Sequence, residues 1–251
     1  MKILHLFAFR FWSGPAETIF NLAMNQRRAG HEVYVALNND DDVIRAEESS
    51  KPYFQNKNLL LSGNYLLSPK HCGLSIFKDI LFFSNMRVDI IHVHSTHDHF
   101  IGGLSSLINK WCRPRIVRSI HKNNISMPPI VPTHAVTAPC RQFLNDMGKD
   151  IPKCILPAII SELYVPATNR NESKKYCSYQ KKYTIGMVST FKESRNHRLG
   201  LKAFAEFHRF NPNSELILIG DGVEEDDLRK LVSDLSIFDK VAPMHAKVFY
   251  D

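Results

Sequence analysis

His92, His94, His97, Asp98 and His99 form the densest set of metal-binding or proton-carrying side chains in this chain. They lie at the end of the strand-like run Asp89–Val93 and precede Gly102 and Gly103. Clustered imidazoles and a carboxylate suit zinc, so a zinc-dependent hydrolase built on His92–His99 is one reading. The other is a set of polar residues lining the cleft at a strand end, one or two of them facing solvent.

Three further segments could hold an anion or a sugar. Ser13-Gly14-Pro15-Ala16-Glu17 lies between a first strand and its helix. In a parallel sheet that is the edge where ligands bind and helix amides point at phosphate, and equally a place where Gly14 and Pro15 simply make a turn. His121 ends the run Arg115–Ile120, so its ring should project at the same edge as Gly14; a structural histidine is the plainer alternative. Later, Ser189–His197 follows the strand Ile185–Val188 and contains Thr190, Arg195 and Asn196 ahead of a helix, an arrangement that would hold a diphosphate, or else a solvated loop. Gly220-Asp221-Gly222 makes a second strand-to-turn junction, where glycine permits positive φ or close backbone approach.

The elements that must position these residues alternate. Lys2–Phe7 is a buried strand, and Ala16, Ile19, Phe20 and Ala23 fall on one face of a helix that stops at Gly30. Glu32–Leu37 is the next strand, followed by strand Asp89–Val93, a helix carrying Phe100, Ile101, Leu104, Leu107, Ile108 and Trp111, strand Arg115–Ile120 and strand His134–Thr137. Pro139 starts a helix that Gly148 closes. Residues 166–182 lose their aliphatic content and read as a linker. Strand Tyr183–Ser189, helix Leu199–Phe210, strand Glu215–Ile219 and helix Glu224–Leu235 then restart the rhythm. The expectation is an α/β protein of two Rossmann-like lobes, 1–165 and 183–251, joined by 166–182. The second lobe is expected to be incomplete, because about twice its length is usual.

The greasiest stretch, Phe77–Val93, is broken by Lys78, Asp79, Arg87 and Asp89, so no membrane span is expected. Five cysteines without a CxxC pair argue against a disulfide framework and a thiolate zinc site, and for a reducing cytoplasm. A net charge of +7 favours anionic partners. The basic residues are scattered without a nucleic-acid motif, which excludes nucleic acid from the expected partners.

Two resemblances follow. The His92–His99 segment resembles the HxHxDH-then-GG pattern of metallo-β-lactamase-like hydrolases, but Thr96 stands where that pattern needs histidine. Over nearly the entire chain the resemblance is to family 4 glycosyltransferases of the GT-B fold. Lys2-Ile3-Leu4-His5, the Ser-Gly-Pro-Ala-Glu turn and Ala29-Gly30-His31-Glu32-Val33 are similar to that family's opening, and Asp89–His94 to its DIIHxH strand. Ala135–Cys140, Leu156-Pro157, Ile185-Gly186-Met187-Val188 onward and Leu216–Gly222 are similar to later family segments.

That resemblance implies sugar transfer from a nucleotide-sugar donor to a glycan or lipid-linked acceptor in cell-surface polysaccharide or lipopolysaccharide synthesis. It further implies retention of configuration, no metal or other cofactor, and chemistry in a cleft between the lobes. His121 matches the family's cleft histidine, contacting the sugar or relaying a proton. Gly14, Thr190, Arg195, Asn196 and Gly222 are the candidates for donor and phosphate contacts; Arg195 keeps the charge of a family lysine, whereas Thr190 stands where the family has arginine. Ala158 and Ile159 replace the asparagine and glycine of the PNG segment. The family's E-x7-E glutamates belong to a later segment, so a C-terminally truncated member, slow or inactive, is expected. A non-catalytic or degenerate fragment is the alternative. The expected location is the cytoplasm, with peripheral association at the inner face of the membrane.

Overall fold

The structure is a computed structural model that describes residues 1–9, 14–39, 59–70, 73–121, 130–145, 150–157 and 181–242. It divides into two compact units, Met1–Tyr164 and Val165–Asp251. The linker expected at 166–182 lies, except for Lys181 and Lys182, outside the described residues, as do Ala158 and Ile159.

The first unit contains β1 (Lys2–Phe7), α1 (Gly14–Arg28), β2 (Glu32–Leu37), α2 (Leu74–Ser84), β3 (Ile90–Val93), α3 (Thr96–Ile108), β4 (Arg115–Ser119), β5 (Ala135–Ala138) and β6 (Lys153–Ile155). The strands form one parallel sheet in the order β2-β1-β3-β4-β5-β6. Side chains alternate across a strand, so β1 is apolar on both faces. Ile3 and Phe7 pack with Ala16, Ile19, Phe20 and Ala23 of α1, while Leu4 and Leu6 pack with Ile80 and Phe83 of α2 and Ile101 of α3. Each such large side chain contributes about 1.5–3 kcal/mol by leaving water.

α1 ends as expected at Gly30, whose φ of +86° lets its N–H reach Arg27 O (2.9 Å) while that of His31 reaches Gln26 O (3.1 Å). These two bonds satisfy carbonyls the helix would otherwise leave open. Two elements depart from the sequence reading. The greasy stretch divides into α2 and β3, with Asp79 buried to accept the backbone N–H groups of Leu66 and Leu67 at 2.8 Å each. The helix expected from Pro139 to Gly148 is, in its described part, a 3-10 turn over Arg141–Leu144; residues 146–149 lie outside the described residues.

α3 is fixed at its start by a capping box. Asp98 N–H donates to Ser95 Oγ (3.1 Å), and Ser95 N–H donates back to Asp98 Oδ2 (2.8 Å). The same carboxylate accepts the N–H of Ala8 (3.0 Å) and of His94 (3.3 Å), which ties the end of β1 to α3. Asp98 and Arg118 are both buried, and among the described residues no hydrogen bond reaches Nε or Nη1 of Arg118. Asp98→Ala should therefore cost roughly 3–5 kcal/mol in urea unfolding, because it orphans three amides and leaves Arg118 without its counter-charge. Asp98→Asn, which keeps an acceptor oxygen, should cost less; equal losses would mean the charge is irrelevant. α3 also lies close on the sheet, since a Cβ on Gly102 would stand 3.0 Å from side-chain atoms of Ile91 and Val93.

The second unit has β7 (Tyr183–Val188), α4 (His197–Phe210), β8 (Ser214–Ile219), α5 (Glu225–Asp234) and β9 (Val241–Ala242), with a parallel sheet ordered β7-β8-β9. Its core joins Phe191, Leu201, Phe204, Leu216, Leu218, Leu228, Val232 and Ile237. Among the described residues no helix is long and apolar enough to cross a membrane.

Candidate functional site

At the carboxyl edge of the first unit's sheet lies a cavity of about 180 Å³. Pro15, Thr18 and Leu22 of α1 wall one side, and His94, Ser119, His121 and Thr137 supply polar groups from the strand ends. Gly14 is the first residue of α1, next to Pro15, so the structure brings the turn and His121 to one cavity.

Behind the cavity the imidazoles form a chain. His121 Nε2 lies 3.4 Å from His94 Nδ1, His94 Nε2 lies 3.1 Å from His5 Nδ1, and His5 Nε2 lies 2.8 Å from Gln26 Oε1. His92 bonds through Nε2 to Ser119 Oγ (2.7 Å), which meets Thr137 Oγ1 at 2.8 Å. The arrangement follows from register: His5 is paired with His92 across β1 and β3, and His94 lies two residues further on the same face.

Burial disfavours the charged imidazolium. It pushes His5 down to about 4, with Gln26 opposing, and His121 to about 4, with the Arg118 charge adding to the effect. His92 and His94 are held well below the ordinary value, first by burial and then by neighbouring histidines and Arg118. Burial lifts Asp98 to about 6 against the pull of Arg118, and lowers Arg118 to about 10.

The sequence cluster is thus divided. His92 and His94 join His5, and these three offer nitrogens within 4.8 Å of one another, a donor set a zinc ion could use. Asp98 caps α3, and His99 Nε2 bonds Pro132 O (3.2 Å) and Thr133 Oγ1 (2.9 Å). The expectation that one or two of the five face solvent meets a more enclosed set: His92 on β3, His94 just beyond it, and Asp98 and His99 on α3 are buried, and only His97 is half-buried.

In the second unit Thr190, Arg195, Asn196 and Gly222 belong to two touching loops. Ser189 N–H donates to Ile219 O (3.0 Å), Phe191 N–H to Asp221 O (2.6 Å) and Glu224 N–H to Phe191 O (3.2 Å). Asn196, at φ +56°, turns the chain into α4, whose N-terminus has no side-chain cap. Arg195 is exposed beside it, whereas Arg198 is taken by Glu224 (3.0 Å) and Asp227 (2.6 Å). Open amides beside a cation suit a phosphate. Gly222 has φ +145°, and a Cβ there would lie 2.5 Å from Phe191 O. Gly222→Ala should lower the unit's stability by about 1–3 kcal/mol and part the loops, visible as a lower melting temperature; an unchanged melt would show that the contact is not needed.

Sequence reasoning missed His5 and Gln26. His5 carried a signal, a polar residue inside an apolar strand, but its partners are 21 and 89 positions away.

Residues 12–147 match the family model described as Glycosyltransferase Family 4. The alpha-monoglucosyldiacylglycerol synthase of Streptococcus pneumoniae (strain ATCC BAA-255 / R6) is 22% identical over 273 residues, covering 95% of this chain and 60% of that protein. The chain therefore spans about 60% of the length of this curated relative. Among solved structures, TarM aligns with a TM-score of 0.66 at 10% identity, covering 98% of this chain and 77% of that one. The lipopolysaccharide outer core galactosyltransferase WaaB, in its apo form, aligns at 0.62 and 13% identity, covering 99% and 69%. At these identities the likeness is one of fold, the α/β GT-B type.

Proposed function

The chain belongs to Glycosyltransferase Family 4, and from that membership we propose that it moves a sugar from a nucleotide-sugar donor to a glycan or lipid-linked acceptor, with retention of anomeric configuration and without a metal or other cofactor. The observation that carries this reading is the cavity at the sheet edge, where a neutral His121 faces the first turn of α1.

Sugar transfer passes through an oxocarbenium-like state, so positive charge gathers at the sugar and negative charge on the departing diphosphate. His121 is the catalytic residue of this reading: as a neutral imidazole it accepts a hydrogen bond from a sugar hydroxyl without adding positive charge beside the cation. Gly14, without a side chain, lets the sugar or acceptor approach α1. Arg195 and the open amides following Asn196 take the charge of the diphosphate, Thr190 adds a hydroxyl, and Gly222 keeps the loops together. The names of the curated relative and of WaaB refer to a glucosyl diacylglycerol and to lipopolysaccharide, which supports a lipid-linked acceptor. Outward on α2, exposed Leu74, Phe77 and Leu81 beside Lys78 support peripheral contact with an anionic membrane from the cytoplasmic side.

A second reading, a non-catalytic binding unit, is favoured by Thr190, which leaves the diphosphate one cation short. Calorimetry with UDP-, GDP- and ADP-sugars separates the two when paired with a transfer assay. Binding of one donor, slow turnover unaffected by EDTA and a product of unchanged anomeric configuration are expected. Donor binding without turnover would support the second reading, and no binding of any nucleotide sugar would overturn both.

A further inference from the structure

The imidazole chain behind the cavity has a direction, set at its far end. We propose that Gln26, acting through His5 and His94, fixes the tautomer of His121, so that His121 carries its proton on Nε2 and presents a bare Nδ1 to the bound sugar. This rests on the reading of His121 as the sugar-contacting residue and adds a positioning residue to it.

Gln26 Oε1 can only accept, so His5 Nε2, 2.8 Å away, carries a proton. A neutral His5 then has a bare Nδ1, which can only accept, and its neighbour at 3.1 Å, His94 Nε2, must donate. That leaves His94 Nδ1 bare, so His121 Nε2, at 3.4 Å, donates to it. His121 Nδ1 is left bare, and no described residue bonds to it. Each step holds because the rings are neutral: His5 and His94 are fully enclosed, and among the described residues no carboxylate bonds to any of the three. A neutral imidazole has one donor and one acceptor, so fixing one nitrogen of the first ring fixes all six.

The consequence is chemical. A bare Nδ1 accepts a sugar hydroxyl's proton in a hydrogen bond and can take it up as charge shifts, whereas an Nδ1–H would oppose that hydroxyl proton. Gln26 lies on the last turns of α1, the helix whose first turn walls the same cavity, so one element both shapes the site and orients its imidazole.

Long-range proton–nitrogen NMR on the 15N-histidine-labelled chain, without donor, reads the tautomers directly. The wild type should show His121 with a pyridine-like Nδ1 and a pyrrole-like Nε2, and His5 and His94 the same. Gln26→Leu should leave the His121 nitrogens averaged between the two forms. In the transfer assay Gln26→Leu should lower kcat by roughly fivefold, the weight of one neutral hydrogen bond, with KM little changed. A pyrrole-like Nδ1 in the wild type, or a Gln26→Leu spectrum identical to wild type, overturns the proposal, as does stoichiometric zinc on His5, His92 and His94, which would consume the bare nitrogens. If the tautomers behave as expected while His121→Ala transfers sugar normally, the chain stands and the assignment of His121 as the sugar contact falls.

Discussion

His121→Ala should lower sugar transfer by roughly 10²–10⁴-fold while leaving donor affinity and folding nearly unchanged. The split follows from position. His121 lines the cavity but is only partly buried, and its one hydrogen bond among the described residues, 3.4 Å to His94, is long, so the fold loses little when the ring is removed. The groups suited to a diphosphate, Arg195 and the open N-terminus of α4, belong to the second unit and are untouched. An effect on kcat with an unaltered calorimetric donor affinity marks an interaction made in the transition state. His121→Asn should recover part of the loss, since its amide oxygen can still accept from a hydroxyl. Equal falls in donor affinity and in rate would make His121 a binding group, and unchanged transfer would remove it from the chemistry.

Much of this architecture is written in periodicity. Ile3, Phe7, Ile19, Phe20 and Ala23 announce a strand and the helix on it, because burial on one face imposes spacings of two and of three to four. The turn at Gly14 and the strand-end position of His121 follow from the same rhythm. Other features depend on contacts that no local pattern encodes. α2 hides behind Lys78 and Asp79, polar residues that read as interruptions although Asp79 is buried to satisfy two loop amides. β6 has only three residues, all exposed, and so no apolar signature. Asp98 is the instructive case. Ser95-x-x-Asp98 before an apolar run spells a capping box, yet the surrounding histidines drew it into a metal reading. His5 and Gln26 were illegible for a topological reason: His5 meets His94 only once β1 pairs with β3, and meets Gln26 only once α1 packs back on β1 and β2.

That enclosed set of histidines carries a second large expected effect, on stability against acid. An unfolded histidine takes up a proton near pH 6.5, whereas burial holds His5 to about 4 in the folded chain. Between those values the unfolded chain binds the extra proton, so the contribution is complete above about pH 6.5 and is lost as pH falls toward 4. At about 1.4 kcal/mol per pH unit, His5 alone accounts for roughly 3 kcal/mol. His92, His94 and His121 act in the same direction, each held down first by burial. Asp98 opposes them: raised to about 6, it takes a proton in the folded chain before the unfolded one does, which returns stability as pH falls from about 6 toward 4. That return offsets about one histidine of the four. His5 and His121, each held to about 4, together lose roughly 6 kcal/mol by pH 4 and Asp98 returns about 3, while His92 and His94 add to the loss, so the first unit should become steadily less stable as pH falls from about 6.5 toward 4. Urea titrations at pH 7.5, 6 and 5, followed by circular dichroism, would show midpoints falling with pH, and His5→Leu should flatten that dependence. Midpoints that stay level, or rise, between pH 7.5 and 5 would mean that the imidazoles are already solvated in the folded chain, and the neutral His121 on which the transfer chemistry depends would go with them.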